Sequence, residues 1–385
     1  MRQAAEYRRA LEGLLGVPAS EGNQVDVLRN GDEIFPCMLD AICAAQRTID
    51  LLTFIYWTGD IGERFAHALA ERAQAGVRVR VLLDAVGARD IDETLVGEMT
   101  KAGCDLRWFR PVERGGLGEV NHRTHRKVLI CDEQVSFTGG VGIADQWLGD
   151  ARNENEWRDT HFRVVGPATD GLRAAFVDNW AETGGDIFDP AVDRFPDQTQ
   201  DGATTIQVVR GAAETGWSDV STLFRALVRL AERRIRIATA YFNPDDHLLE
   251  LLADAADRGV EVQILLPGPH ADKRFAQLAS ERAYGSLLEH GVQISCFQPA
   301  MLHAKVMTVD GEVANVGSAN VNNRSTQYDE EVNLVLFDPA VVAELDAHYD
   351  EDLTRSEPVD PEDWTERSLA QRAAERATGL VRKLL

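Results

Sequence analysis

Two short stretches of this chain set a histidine, a lysine, an aspartate and a glycine at the same intervals. His125, Lys127, Asp132 and Gly139 form the first set, and His303, Lys305, Asp310 and Gly317 the second. Only five lysines occur in 385 residues, and two of them stand two places after a histidine. On an extended strand, residues i and i+2 share a face, so each imidazole lies beside an ammonium while Arg126 and Ala304 turn away. An imidazole can attack as a nucleophile or move a proton, and a fixed cation stabilises developing negative charge. Two such pairs facing each other suit a phosphodiester, whose oxygens spread charge as it reacts. Ser318 and Asn320 follow the second set and add neutral hydrogen-bond donors. The first set has Gly140 and Gly142 at those offsets, so its donors there reduce to the backbone N–H groups of residues 139–142, Gly139 and Gly140 foremost.

The elements that position these residues are written twice. An apolar stretch beginning at Arg47 reads as a buried strand, residues 61–75 carry helical spacing through Phe65, Ala68, Leu69 and Ala73, and Gly76 stops the helix before a second strand over 77–84. The same order returns as a strand from Arg234, a helix over 248–257, a stop at Gly259 and a strand over 260–267. A further strand over 102–109 has its counterpart over 290–297, and each copy then reaches its histidine and its glycine turn. Five matched elements in one order are an internal duplication. The expected fold is α/β: two pseudo-symmetric α-β-α sandwich lobes, with the corresponding strand ends meeting at a shared interface. The expected boundaries are an N-terminal helix over 1–25, a first lobe over 26–185, a linker rich in Asp, Pro, Gln, Thr and Gly over 186–205, a second lobe over 206–360, and a C-terminal amphipathic helix over 361–385.

The doubled His-x-Lys-x4-Asp pattern resembles the signature of the phospholipase D superfamily. The runs Leu28-Arg29-Asn30-Gly31-Asp32, Thr239-Ala240-Tyr241-Phe242-Asn243-Pro244-Asp245 and Val316-Gly317-Ser318-Ala319-Asn320 are similar to the bacterial cardiolipin synthase branch, over most of the chain from about Asn30 onward. The resemblance implies a phosphatidyl-group transferase with a phospholipid substrate. His125 forms a phosphohistidine and His303 protonates the leaving alcohol and deprotonates the incoming one. In that family an acidic residue on a later strand holds the second nitrogen of each imidazole, a role carried here to Asp159 and Glu331. Asp132 and Asp310 are expected to be scaffold. Where the family has an asparagine, this chain has Gly142. A hydrolase using water, a nuclease and a non-catalytic anion-binding protein are the competing functions.

Charge and composition narrow these. A net charge of −23 opposes nucleic acid, and no basic–aromatic stripe runs between the two glycine turns, so no nucleic-acid partner is expected. Metal ligation by His122, His125 and Asp132 is an alternative to the nucleophile, but the second copy lacks the extra histidine, and neither metal nor cofactor is expected. Asp159 and Glu331 could instead pair with Arg158 and Arg324, and His161 reads as solvent-facing. The five cysteines, odd in number and scattered, read as free buried thiols. The apolar run over 49–57 is too short to span a bilayer, and the N-terminus has no signal-peptide pattern. A cytoplasmic protein in peripheral contact with the membrane is expected. The basic amphipathic helix over 364–385 could provide that contact or pack on the body.

Overall fold

In a computed structural model, residues 2–111, 122–212 and 218–365 are described. The first copy contributes α1 (Ala4–Leu15), β1 (Ser20–Arg29), α2 (Asn30–Ala44), β2 (Thr48–Thr53), α3 (Asp60–Gln74), β3 (Arg78–Asp84), α4 (Glu93–Ala102) and β4 (Asp105–Phe109). It continues with β5 (Val128–Cys131), β6 (Val135–Gly139), β7 (Thr160–Val165) and α5 (Ala168–Glu182). The second copy runs β8 (Thr204–Gly211), α6 (Asp219–Leu230), β9 (Arg234–Thr239), α7 (Asp246–Asp257), β10 (Glu261–Pro267), α8 (Arg274–Glu289) and β11 (Gln293–Phe297). It ends with β12 (Lys305–Val309), β13 (Val313–Gly317), α9 (Asn323–Gln327), β14 (Glu331–Phe337), α10 (Pro339–Thr354), β15 (Ser356–Pro358) and α11 (Pro361–Thr365).

All fifteen strands form one sheet in the order β15-β11-β10-β9-β12-β13-β14-β8-β1-β7-β6-β5-β2-β3-β4. Read outward from the β8–β1 pair, the two sides correspond strand for strand, and only β15 has no counterpart. The duplication is thus a pseudo-twofold through the middle of a continuous sheet. Strands β2, β3 and β4 are parallel, as are β9, β10 and β11, and the remaining pairs are antiparallel. Helices α2, α3 and α4 pack through Phe35, Phe65 and Leu95 on one face of the first half, and α6 and α7 pack through Leu223, Leu227 and Leu252 on the second. The other faces share a core in which Phe176 of α5 and Val342 of α10 meet residues from both halves.

Two boundaries differ from expectation. The N-terminal helix ends at Leu15, because Gly16 adopts φ 67° and caps it, and Ser20–Arg29 is instead the first-lobe strand at the seam with β8. Thr204 and Thr205, placed in the linker, already pair in β8. Helix α1 packs on the second lobe, where Tyr7 and Leu11 join its core. The helix expected over 364–385 lies, beyond Thr365, outside the described residues. Cys104 and Cys131 are buried, whereas Cys43 is exposed, and all five cysteines are free.

Candidate active site

Both histidines sit on the lead-in to a strand, and their backbones are stitched across the lobe interface. The His125 N–H donates to Glu330 O at 2.9 Å, and the His303 N–H donates to Arg158 O at 2.7 Å. Each carbonyl belongs to the residue just before an expected carboxylate. The imidazoles follow the same crossing: His125 Nδ1 lies 3.1 Å from both oxygens of Glu331, and His303 Nδ1 lies 2.8 Å from Asp159 Oδ2. Each lobe therefore supplies the carboxylate that holds the other lobe's histidine. A carboxylate at Nδ1 fixes the tautomer with the proton there, so Nε2 carries the reactive lone pair or the transferred proton. The alternative ion pairs do not form, since Arg158 binds Asp352 at 2.9 Å and Arg324 binds Asp329 at 2.8 Å.

The lysines are buried with their histidines. Lys127 Nζ donates to the His125 carbonyl at 2.6 Å, and Lys305 Nζ donates to the His303 carbonyl and also lies 2.8 Å from His303 Nδ1. Nδ1 of His303 has one in-plane site, and with its proton directed to Asp159 the Lys305 ammonium is left to the carbonyl. Burial pushes Lys127 down to about 7 and Lys305 to about 8, against the pull of the nearby carboxylates. Burial also lowers both imidazoles to about 4. Burial alone would raise Glu331, but the charge and hydrogen bond of His125, with Lys127 and the Ser318 hydroxyl, hold it at about 2. Asp159 is lowered as well, burial being outweighed by Lys305, His303 and the Trp147 indole. The imidazoles are therefore neutral near pH 7, and an arriving anion favours the charged form of both lysines.

The motif aspartates stand at the far end of the histidine strands. Asp132 accepts from the backbone N–H groups of Gln46, Arg47 and Thr48 at 2.7–3.0 Å. Asp310 accepts from those of Glu232, Arg233 and Arg234 at 2.8–2.9 Å, and from the Tyr7 hydroxyl at 2.6 Å. They tie the turn after each histidine strand to the start of its neighbour, which is a scaffold role. Since Asp132 is engaged there, and His122 Nδ1 faces Tyr328 O at 3.2 Å, the trio of His122, His125 and Asp132 does not converge. Among the described residues no cluster of metal-binding side chains is present.

The expected phosphate-binding residues divide. Ser318 donates its hydroxyl to Glu331 and accepts from the Val332 N–H at 3.0 Å, so it orients the carboxylate instead of facing an anion. Gly139 lies opposite His161 in the sheet, and the Gly140 N–H donates to Thr160 O at 3.2 Å, so Gly140 does not present its N–H as a free donor. A Cβ on Gly140 would lie 2.2 Å from Asp159 Oδ1, and one on Gly142 would lie 2.8 Å from Ile55 Cβ and 3.2 Å from Trp147 Cη2. Both glycines are there because carboxylate and aromatic side chains fill the space. Asn320 is buried, and its amide oxygen has no hydrogen-bond partner among the described residues. His161 is also buried, contrary to expectation, because it lies beneath the glycine turn, and burial pushes it to about 4.

Two site residues were not singled out from the sequence. Trp147, on a short 3-10 turn, donates Nε1–H to Asp159 Oδ2 at 2.9 Å and supplies the hydrogen bond that Ser318 gives in the other half. Tyr241 stands edge-on to His303, with ring centroids 6.3 Å apart. Tryptophan in a loop carries no local signal of this kind, since its partner is twelve residues away.

The family model described as "Cardiolipin synthase, PLD-like domain" matches residues 38–165 and 224–353. A cardiolipin synthase of Geobacillus sp. (strain WCH70) is 34% identical over 370 residues, covering 96% of this chain and 74% of that protein. Cardiolipin synthase 1 of Bacillus anthracis is 32% identical over 378 residues, with the same shares of each chain covered. Among solved structures, a phosphatidylserine synthase of Haemophilus influenzae Rd KW20 superposes with a TM-score of 0.72 over 99% of this chain and all of that one, at 15% identity.

Proposed function

We propose the following chemistry for this chain, which belongs to the cardiolipin synthase family of phospholipase D-like proteins: it transfers the phosphatidyl group of a phospholipid to an alcohol through a phosphohistidine. The observation that carries this reading is the crossed arrangement of two His–Lys pairs, each imidazole held by a carboxylate of the opposite lobe. His125 Nε2 attacks phosphorus, the bond from phosphorus to the headgroup oxygen breaks, and the proton on His303 Nε2 goes to that oxygen. His303 then takes the proton of an incoming hydroxyl, whose oxygen bonds to phosphorus as the N–P bond breaks. Lys127 and Lys305 balance charge on the phosphoryl oxygens throughout, and Asn320 supplies a neutral donor. Protonation of His303 before the first step is favoured by the anionic phosphodiester itself, which adds a negative charge next to an imidazole already paired with Asp159.

A phospholipid donor brings the protein to a bilayer surface, where its contact is peripheral on this reading. No helix among the described residues is long and apolar enough to cross a membrane. The test is the product pattern from labelled phosphatidylglycerol. Cardiolipin with an equal amount of released glycerol is expected, whereas phosphatidic acid alone, with acceptor in excess, would make the enzyme a hydrolase. Rapid denaturation in detergent at mildly alkaline pH, where a P–N bond survives, should trap phosphatidyl label on His125 at early times and none in a His125→Ala variant.

A further inference from the structure

The surroundings of the two histidines differ in a way the duplication does not require. Beside His125 stands Phe54, with ring centroids 5.2 Å apart. Strands β2 and β9 correspond residue for residue, each starting where its aspartate is tied, so Ile55 holds the place that Tyr241 takes in the second lobe. The Tyr241 ring is perpendicular to His303, and its hydroxyl donates to Asp272 Oδ2 at 2.7 Å. Asp272 lies on the turn between β10 and α8 and is exposed. Tyr241 is its one hydrogen-bond partner among the described residues, so most of its acceptor capacity is open. Lys273 Nζ lies 5.4 Å from the centre of the Tyr241 ring. On the same turn His270 Nδ1 is 3.4 Å from Glu154 Oε2 of the first lobe, which closes this side of the site with polar groups.

We propose that Asp272, set by Tyr241, selects the acceptor: it accepts a hydrogen bond from a second hydroxyl next to the one that reacts, and so favours a polyol such as a glycerol headgroup over water and simple alkanols. This rests on the transferase reading above. Departing and arriving alcohols exchange their proton with His303, so the groups around His303, and not those around His125, meet the headgroup. An ionised carboxylate accepts hydrogen bonds and donates none, so it rewards a ligand with a spare O–H. An alkanol has nothing to offer it after its single hydroxyl is committed to His303. An ammonium alcohol would also be attracted, but Lys273 already places one cation beside the same ring and repels a second. The carboxylate's field also reaches His303 and Lys305, favouring their charged forms.

The test uses the ratio in which one phosphoenzyme partitions among acceptors, a quantity independent of how fast it forms. A short-chain phosphatidyl nitrophenol diester serves as donor, nitrophenol release counts the phosphoenzyme, and equimolar glycerol, 1-propanol and ethanolamine compete with water. Wild type is expected to favour glycerol over 1-propanol by about tenfold or more, and Asp272→Asn to lose roughly that factor, since it removes a charge-assisted hydrogen bond. Tyr241→Phe, which frees the carboxylate without removing it, should lose about threefold, an intermediate effect. An unchanged glycerol preference in Asp272→Asn overturns the assignment. A wild-type preference for ethanolamine that the same variant abolishes also overturns it, and makes the site one for cations. Formation of phosphatidic acid alone by wild type would sink the transferase reading and the proposal with it, a result distinct from either of those.

Discussion

A buried imidazole is a usable nucleophile only if its proton is parked on the correct nitrogen, and here that is the work of Glu331 at His125 Nδ1. On the proposed mechanism the two histidines differ in what they do, and substrate choice separates them. With a nitrophenyl phosphodiester the leaving group needs no proton, so His303→Ala should keep measurable nitrophenol release while His125→Ala shows none. Equal residual rates in the two variants would refute the division of roles. The lysines set the pH dependence. Their charged form is required, and with Lys127 at about 7 and Lys305 at about 8 that charge is lost as pH rises through this range. With the nitrophenyl donor, which needs no proton from His303, kcat/KM should fall on the alkaline side between about pH 7 and 8, and Lys127→Arg should leave only the later fall set by Lys305. On the acid side the nucleophile stays neutral down to about 4, so no loss from His125 is expected above about pH 5. Asn320→Ala removes the buried amide from the site and should cost about 2–4 kcal/mol of transition-state stabilisation, a rate loss on the order of a hundredfold or more. A near-normal rate would move the phosphate contacts elsewhere.

At the scale of elements, the two ends of the β5–β6 and β12–β13 hairpins do different jobs. At one end, Asp132 and Asp310 sit at φ 53° and 58° and gather three backbone N–H groups each. Asp310→Ala should destabilise the protein by roughly 2–5 kcal/mol in denaturant titration, because buried donors lose their acceptor and a left-handed position loses a residue suited to it. Asp310→Asn should cost less, and both variants should keep the wild-type rate per folded molecule. At the other end, the family's usual asparagine cannot simply be restored at Gly142. Ile55 and Trp147 occupy the space a Cβ would need, so Gly142→Asn should lower stability by about 1–3 kcal/mol and reduce the rate by displacing Trp147 from Asp159. A thermal midpoint and rate at or above wild type would show the glycine to be a tolerated loss. These contacts mark the limit of what was legible in the sequence. The spacing of His125, Lys127 and Asp132 is local and periodic, so it could be read directly. That Ser318 gives its hydroxyl to Glu331, or that Trp147 takes the same part for Asp159, depends on which loops fold over which strand ends, and spacing does not encode that.

The whole molecule is organised around the β8–β1 seam, where the two copies become one sheet. Duplication predicted two lobes and a shared interface. It did not predict that each histidine would be completed from the other side, because both a crossed and an uncrossed pairing satisfy the same repeat. The crossing has a functional consequence: neither lobe contains a finished site, since His125 depends on Glu331 and His303 on Asp159. The covalent linker, by contrast, adds nothing to the site. The halves are joined by the seam, by the shared core around Phe176 and Val342, and by α1 of the first copy, whose Tyr7 reaches Asp310 of the second. A protease site inserted at the exposed residues Thr199 and Gln200 should therefore allow the folded protein to be cut with its activity retained and its two fragments still co-eluting. Single substitutions of the carboxylates then report the crossing, read with the nitrophenyl donor that needs His125 and no proton from His303. Glu331→Gln should slow nitrophenol release, because it loosens His125, whereas Asp159→Asn should leave that release near wild type and slow transfer to the alcohol, which needs His303. Slow release in Asp159→Asn with near-normal release in Glu331→Gln would mean that the carboxylates serve the histidines of their own lobes and that the pairing drawn across the seam is wrong.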